Sequence, residues 1–321
     1  SQELPFPGKL RRKGEAADRE ADVRQADAGE TEASVADQIK AAYLQLAYLQ
    51  RILALVQKSR DTLAGVVKSE LFRYRTGAGD QADVLKAQLG RTKLVRELTL
   101  RREELAQTEA ELKRLLGRPQ ESPDIVAEDL TMTTLRDSSR ELLQLVRKQN
   151  PAVKVGASTV RKQVADLRSA KLSGKPDFSV GYMFQRTGED FPAYYMLTFN
   201  VIFQRRHRAR AEVEQAEELA VSALDRLNAQ VQRQQAEVQK EYAAATSTAE
   251  EVTEYRAGMI PQAEAEYNAV RAEYESNKKP LDSVLTALNG VLELRQQFAQ
   301  ALFDHELALA RLETLTGAKL R

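Results

Sequence analysis

From Val35 onward, apolar side chains recur in alternating steps of four and three: Val35, Ile39, Ala42, Leu46, Leu49, Leu53, Val56, Leu63, Val67 and Tyr74, slipping only at Arg60 and Glu70. A seven-residue apolar repeat held over so many turns predicts a left-handed coiled-coil seam, not the face of a globular helix. With a start near Arg12, about 60 residues at ~1.5 Å each give a rod of roughly 90 Å. A glycine-rich break, Thr76 to Asp80, interrupts it. The pattern resumes at Val84, Ala87, Leu94, Leu98, Leu105, Leu112 and Leu115 and stops at Gly117, a residue suited to a helix C-terminus. Two arms around a short break predict one long antiparallel hairpin.

The chain then repeats itself. Shifted by 200 positions without a gap, Tyr74, Val84, Leu85, Ala87, Gly90, Leu94, Ala110, Leu112, Leu115 and Gly117 fall on Tyr274, Val284, Leu285, Ala287, Gly290, Leu294, Ala310, Leu312, Leu315 and Gly317. The second hairpin has its own break, Ser276, Asn277, Lys278, Lys279 and Pro280. Its long arm starts near His207 and carries Leu224, Leu227, Val231, Val238, Tyr242, Val252, Met259 and Val270, with Gly258 and Pro261 expected to bend it. Between the hairpins, Arg118 to Arg136 lacks periodicity and reads as a surface connection. Two shorter helices follow, Ser138 to Lys148 and Pro151 to Ala170, divided by Asn150-Pro151.

One region has period two. Phe178, Val180, Tyr182 and Phe184 alternate with Asp177, Ser179, Gly181 and Gln185, and Tyr195, Leu197, Phe199, Val201 and Phe203 alternate with Tyr194, Thr198 and Asn200. Joined by the turn-rich RTGEDFPA, these stretches predict a β-hairpin with an apolar face and a mixed-polar face. At about ten residues, each strand is long enough to cross a bilayer at a tilt. Seven of the chain's nineteen Phe and Tyr lie here, which favours a membrane strand over a two-stranded sheet lying on a helix. In lipid, however, a lone hairpin has unpaired edges, so the membrane reading needs further strands or further chains. Leu4 and Phe6, alternating with Glu3, offer another short strand. The runs GKLRRK and QRRHRAR stand where strand becomes helix; anionic head groups at the rim of a barrel and plain solvation explain them equally well.

Composition narrows the function classes. Charged residues are 30%, aromatics 6%, and Trp and Cys are absent, a helix-former composition without thiolate chemistry. A formal net charge of +1 gives no field for nucleic acid, and no apolar run approaches the ~20 residues of a membrane-spanning helix. His207 and His305 have no second ligand at metal spacing, so neither a metal nor another cofactor is implied. Gly77-Ala78-Gly79 is too short to cradle phosphate, and Glu103-Glu104 and Glu250-Glu251 fit solvated helix faces. No enzyme signature is present.

Taken in order, several of these features resemble the TolC family of outer-membrane efflux proteins across essentially the whole chain. They are the duplicated hairpins, Asp83-Val84-Leu85 after the first break, Asn150-Pro151, Pro176-Asp177-Phe178, and the closing Leu115-Leu116-Gly117 and Leu315-Thr316-Gly317. The resemblance implies a mainly α protomer of an α-barrel tunnel with a small β-barrel portion. Strand would occupy 1–8, a long helical hairpin 9–117, an equatorial connection 118–137, a shorter helix pair 138–172, a β-hairpin 173–205 and a second long hairpin 206–321. It implies a homotrimer, each copy giving four strands to a shared barrel in outer-membrane lipid, and partnership with a periplasmic adaptor and an inner-membrane pump. The family's signal sequence, first helix pair and first strand have no counterpart before Ser1, so an N-terminally shortened member is expected.

The same resemblance assigns the breaks. Thr76, Gly77, Ala78, Gly79 and Asp80, with Ser276, Asn277, Lys278, Lys279 and Pro280, form the tip that meets the adaptor. Tyr274, Lys279 and Asp282 form the entrance constriction, although Ser283 and Thr286 stand where the family carries carboxylates. Lys278 and Lys279 are expected to pair with Asp282, or with Asp80 and Asp83, and hold the entrance shut until the adaptor docks. The function implied is passive export; a soluble coiled-coil scaffold binding partners through its tips is the alternative left open by the residues alone.

Overall fold

The structure, a computed structural model, describes residues 2–185, 194–203 and 205–320. The predicted RTGEDFPA turn lies outside the described residues. Element order is β1 (Gln2–Leu4), α1 (Lys9–Arg75), α2 (Gln81–Leu115), α3 (Ser139–Gln149), α4 (Pro151–Ala170), β2 (Asp177–Gln185), β3 (Tyr194–Ile202), α5 (Arg206–Glu254), a π-helical turn (Tyr255–Met259), α6 (Ile260–Glu275) and α7 (Leu281–Thr316). The chain divides into two compact units, one of Ser1–Ala33 with Leu143–Ala236, the other of Ser34–Leu142 with Glu237–Arg321. No helix among the described residues is long and apolar enough to cross a membrane.

The first unit holds the sheet, in the order β1-β2-β3 and antiparallel throughout. Phe6 does not extend β1; its N–H instead donates to Asp177 Oδ1 at 2.8 Å. Helix α4 begins as its sequence requires. Asn150 accepts from the Val153 N–H at 2.9 Å, Pro151 fills the first turn where an N–H has no partner, and Asn150 Nδ2 donates to Gln234 of α5 at 3.3 Å. Gly156 marks close packing, because a Cβ there would stand 2.9 Å from Leu227 Cδ1. Lys162–Glu20 at 3.1 Å and Arg168–Glu15 at 3.3 Å tie α4 to the start of α1.

In the second unit the helices run in a four-membered arrangement set by apolar contact. Lys40 meets Glu313, Tyr48 packs on Phe303 at 5.3 Å between centroids, and Arg51 lies over Phe298 at 5.3 Å. As numbers climb along α1 they fall along α7, so the two are antiparallel. Glu97–Gln296 shows α2 and α7 running the same way, about one repeat apart. Buried Leu49, Ile52, Val56, Leu63, Leu94, Leu98 and Val252 join Leu302, Phe303 and Ala299 in one core.

Two features depart from a plain heptad rod. The middle of α1 is buried on more than its seam, Leu44, Ala47 and Tyr48 included. These residues belong to the same core as Phe303 and Leu130, and the aperiodic connection is tied to this stretch of α1 by side chains: Gln50 Nε2 donates to Ile125 O at 2.8 Å, the Ala127 N–H donates to Gln50 Oε1 at 3.0 Å, and the Glu128 N–H to Tyr43 at 3.0 Å. Buried Glu306 accepts from the Thr133 N–H at 2.7 Å and its hydroxyl at 3.1 Å, while His305, 1% exposed, has Nε2 2.8 Å from Thr133 O and Nδ1 2.9 Å from Ala245 O. His305 is thus a structural residue clamping the connection. The second departure precedes Pro261. Proline lacks an N–H and its ring conflicts with the carbonyl four residues back, and the chain answers with the π-turn, in which the Ile260 N–H bonds Tyr255 O.

Replacing Gln50 with Leu leaves the half-buried Ile125 carbonyl and Ala127 N–H without their side-chain partner at once. At ~1–3 kcal/mol for groups left unsatisfied, the denaturant midpoint falls accordingly and amide exchange at Ala127 accelerates, while exchange in α4 is unchanged.

Candidate functional site

Both helix breaks close with the same hydrogen bonds. At the first, the Gly77 N–H donates to Tyr74 O at 3.1 Å and the Ala78 N–H to Arg73 O at 2.8 Å; at the second, the Asn277 N–H donates to Tyr274 O at 2.9 Å and the Lys278 N–H to Glu273 O at 2.8 Å. This pair of bonds is the Schellman ending, which places one residue in the left-handed region. That residue is Gly77 (φ 74°) in one break and Asn277 (φ 57°) in the other, the two residue types that tolerate it best. Thr76 and Ser276 both turn their hydroxyls back on carbonyls of the preceding turn. Gly79 serves a different need. A Cβ there would stand 3.0 Å from the Arg73 Cβ, whereas its counterpart in the second break is Lys279. Apart from half-buried Gly79, all of Thr76 to Asp80 and Ser276 to Pro280 is exposed.

Arg73 binds the two breaks together. Its guanidinium lies over the Tyr274 ring at 5.0 Å and its Nη2 donates to Asn277 Oδ1 at 2.7 Å. The Tyr274 hydroxyl donates to Glu70, a carboxylate 2% exposed, through a short hydrogen bond. Burial first, then the negative Glu70 carboxylate, hold the Tyr274 phenol well above the ordinary tyrosine range, with Arg73 opposing. Underneath, Ala87, Val270, Leu281 and Val284 form a small separate core.

The three expected constriction residues keep separate partners within the chain. Tyr274 takes Glu70; Lys279 pairs with Glu273 at 2.8 Å; Asp282 pairs with Lys86 at 2.7 Å. The expected Lys279–Asp282 pair is not formed, and Lys278 makes no ion pair among the described residues. Since α2 and α7 run side by side in the same direction, Asp282 in the first turn of α7 comes level with Lys86 of α2. Glu70, Arg73 and Lys86 were missed in the sequence because Glu70 sits at a slip in the heptad and the others resemble any solvated helix charge. Phe72, 68% exposed, and Leu85 and Leu89, 56% and 58% exposed, add apolar surface on either side of the first break.

At the sheet, the register is more telling than the alternation alone. Phe178 pairs with Val201, Val180 with Phe199, Tyr182 with Leu197 and Phe184 with Tyr195, so one face is apolar across β2 and β3. The other face is mixed, with Asp177 opposite Ile202, Ser179 opposite Asn200, Gly181 opposite Thr198, Met183 opposite Met196 and Gln185 opposite Tyr194, and Asn200 Nδ2 donates to Ser179 Oγ at 3.3 Å. The apolar face is uncovered in the single chain: Leu197 is 75% and Tyr195 69% exposed.

No protein-family model matches the sequence, and no curated protein does. Solved structures do match. The outer-membrane channel OprN superposes with TM-score 0.85 at 18% identity, over 98% of this chain and 73% of OprN. The outer membrane protein VceC of Vibrio cholerae gives 0.84 at 17% identity, over 99% and 78%. CusC, known for transmembrane channel formation, gives 0.85 at 15% identity, over 98% and 76%. The chain therefore has the fold of these channels, the mainly helical hairpin architecture that its sequence resemblance to the TolC family implies.

Two outcomes follow. In an alkaline titration followed by ultraviolet difference spectroscopy, Tyr274 and buried Tyr48 both ionise later than an ordinary tyrosine, and Tyr274→Phe removes its own part of that late absorbance change while leaving the Tyr48 part. The sign follows from the raised value: whatever Tyr274 contributes is complete below pH ~10 and is lost as pH climbs through its folded-state value. Gly77→Ala costs about 1 kcal/mol through its positive φ, read as faster amide exchange at Ala78, while Asn277→Gly keeps the turn and loses only the Arg73 bond.

Proposed function

We propose that this chain is one protomer of a passive export channel spanning the outer membrane and periplasm of a Gram-negative bacterium, built as a homotrimer and served by a periplasmic adaptor and an inner-membrane pump. The observation that carries the reading is the sheet: nine-residue strands in a register that puts Phe178, Val180, Tyr182, Phe184, Tyr195, Leu197, Phe199 and Val201 on one largely uncovered face. A tilted strand needs ~9–11 residues to cross the hydrocarbon. A scaffold that acted through its tips alone gains nothing from such a face, and a membrane strand requires it. The fold likeness to OprN, VceC and CusC, each named as an outer-membrane or transmembrane channel protein, supports the same reading.

Docking of the adaptor belongs to the exposed breaks, Thr76 to Asp80 and Ser276 to Pro280. The closed entrance belongs to Tyr274, Lys279 and Asp282 with the partners the geometry supplies, Glu70, Glu273 and Lys86. Both cross-hairpin contacts, Tyr274 to Glu70 and Asp282 to Lys86, join a helix of one repeat to a helix of the other. An exposed ion pair stabilises by only ~0.2–1 kcal/mol, so the exposed contacts depend on threefold repetition and the half-buried Tyr274–Glu70 bond is the stronger element. Adaptor contact that shifts one repeat against the other breaks them together.

The test of the overall reading is fractionation of the protein from its native host: it should sediment with the outer membrane and run as a detergent-stable trimer. A soluble monomer contradicts it. The entrance is tested in planar bilayers. Tyr274→Phe combined with Arg73→Ala raises the open probability, Lys86→Ala gives a smaller rise that high salt mimics, and a closed state indifferent to all three removes the proposed latch.

A further inference from the structure

Three spans carry the chain between sheet and helix: residues 9–13 from β1 into α1, 171–175 from α4 into β2, and 205–210 from β3 into α5. Together they hold ten Lys and Arg and no Asp or Glu, in a protein whose formal net charge is only +1. The spans are neighbours in the fold. Lys9 Nζ donates to Lys175 O at 2.8 Å, and a Cβ on Gly174 would stand 3.1 Å from the Ala209 Cβ. They form one basic collar at the end of the sheet.

Part of this charge is structural. Lys9 is 8% exposed and pairs with Asp177 at 2.8 Å; Arg12 pairs with Glu15, Lys171 with Glu217 and Arg208 with Glu212. The rest is not. Arg11, Lys13, Lys175, Arg205, Arg206 and Arg210 are exposed and make no ion pair among the described residues. Neither α1 nor α5 has an acidic residue in its first turn, so cations stand at helix starts where the helix dipole disfavours them. The six exposed cations gain nothing from the helix dipoles beside them, and an external anion would offset that.

The adjoining surface names the anion. The collar is continuous with the uncovered apolar face of the sheet, and Phe203 and Leu10, 74% and 66% exposed, sit within or beside it. Apolar surface bordered by unpaired cations on flexible stems is complementary to the hydrocarbon and head-group layers of one leaflet. We infer that the collar binds the head groups of anionic phospholipids and thereby fixes how deep the sheet sits in the bilayer. This inference rests on the membrane placement of the sheet proposed above.

The experiment measures sedimentation of the 321-residue chain with vesicles of phosphatidylcholine alone and with phosphatidylglycerol added, for the native sequence and for Arg11→Gln/Arg205→Gln/Arg206→Gln. A basic residue near an anionic surface is worth roughly five-fold in affinity, so the triple variant binds the anionic vesicles about a hundredfold more weakly, with binding to neutral vesicles unchanged. Its melting temperature stays level or rises, because charges opposed to the helix dipole have been removed. The variant carrying Lys at all three positions keeps the native affinity. Equal binding of native and Gln proteins to anionic vesicles overturns the collar and leaves the membrane placement standing, as does loss of binding in the Lys variant. Binding to neither vesicle overturns both.

Discussion

A backbone polar group removed from water must be paired, and the two kinds of element in this chain meet that demand differently. A helix pairs its own N–H and C=O groups, so α1 to α7 need from their neighbours only cover for apolar side chains. A strand pairs only sideways. Among the described residues, β2 beyond Val180 has a partner on one side, β3, because β1 pairs only from Phe178 to Val180. Nearly every apolar residue of the sheet is uncovered as well. Helical hairpins complete in one chain and a sheet that is incomplete in one chain are what a shared barrel requires of its protomers. The assembly proposed here follows from that requirement.

Duplication supplies the second organising fact. The two breaks repeat residue for residue in their backbone bonds although glycine serves in one and asparagine in the other, and Gly117 and Gly317 end the two hairpins at nearly the same φ. Where the repeats differ, the differences link them. Arg73 stands where the second repeat has Glu273; it reaches across to Tyr274 and Asn277, while Glu273 holds Lys279. A duplicated scaffold gives two tips the same shape, and divergent charges let one tip grip the other.

Much of this was legible in the sequence because period and spacing are local signals. The extent of α1, the start of α4 at Asn150-Pro151, the faces of β2 and β3 and the position of both breaks follow from patterns a few residues long. What was not legible depends on partners far along the chain. The aperiodic connection gives no hint that it is tied to α1 and α7, because its bonds come from Gln50, Tyr43 and Glu306 one at a time. Lys86, not Lys279, as the partner of Asp282 could be known only once α2 and α7 were seen side by side. Pro261 announced a distortion, but a kink and a π-turn are alternative responses to the same missing N–H.

The central claim is that the apolar face of the sheet meets lipid and its other face does not. Nitroxide labels placed singly at Tyr182, Leu197, Gly181 and Thr198 in the membrane-reconstituted protein test it through their collision rates with oxygen, which concentrates in hydrocarbon, and with a water-soluble relaxant. High oxygen accessibility at Tyr182 and Leu197, alternating with low values at Gly181 and Thr198, is the result required. Labels at all four positions that respond alike to the water-soluble reagent contradict the account.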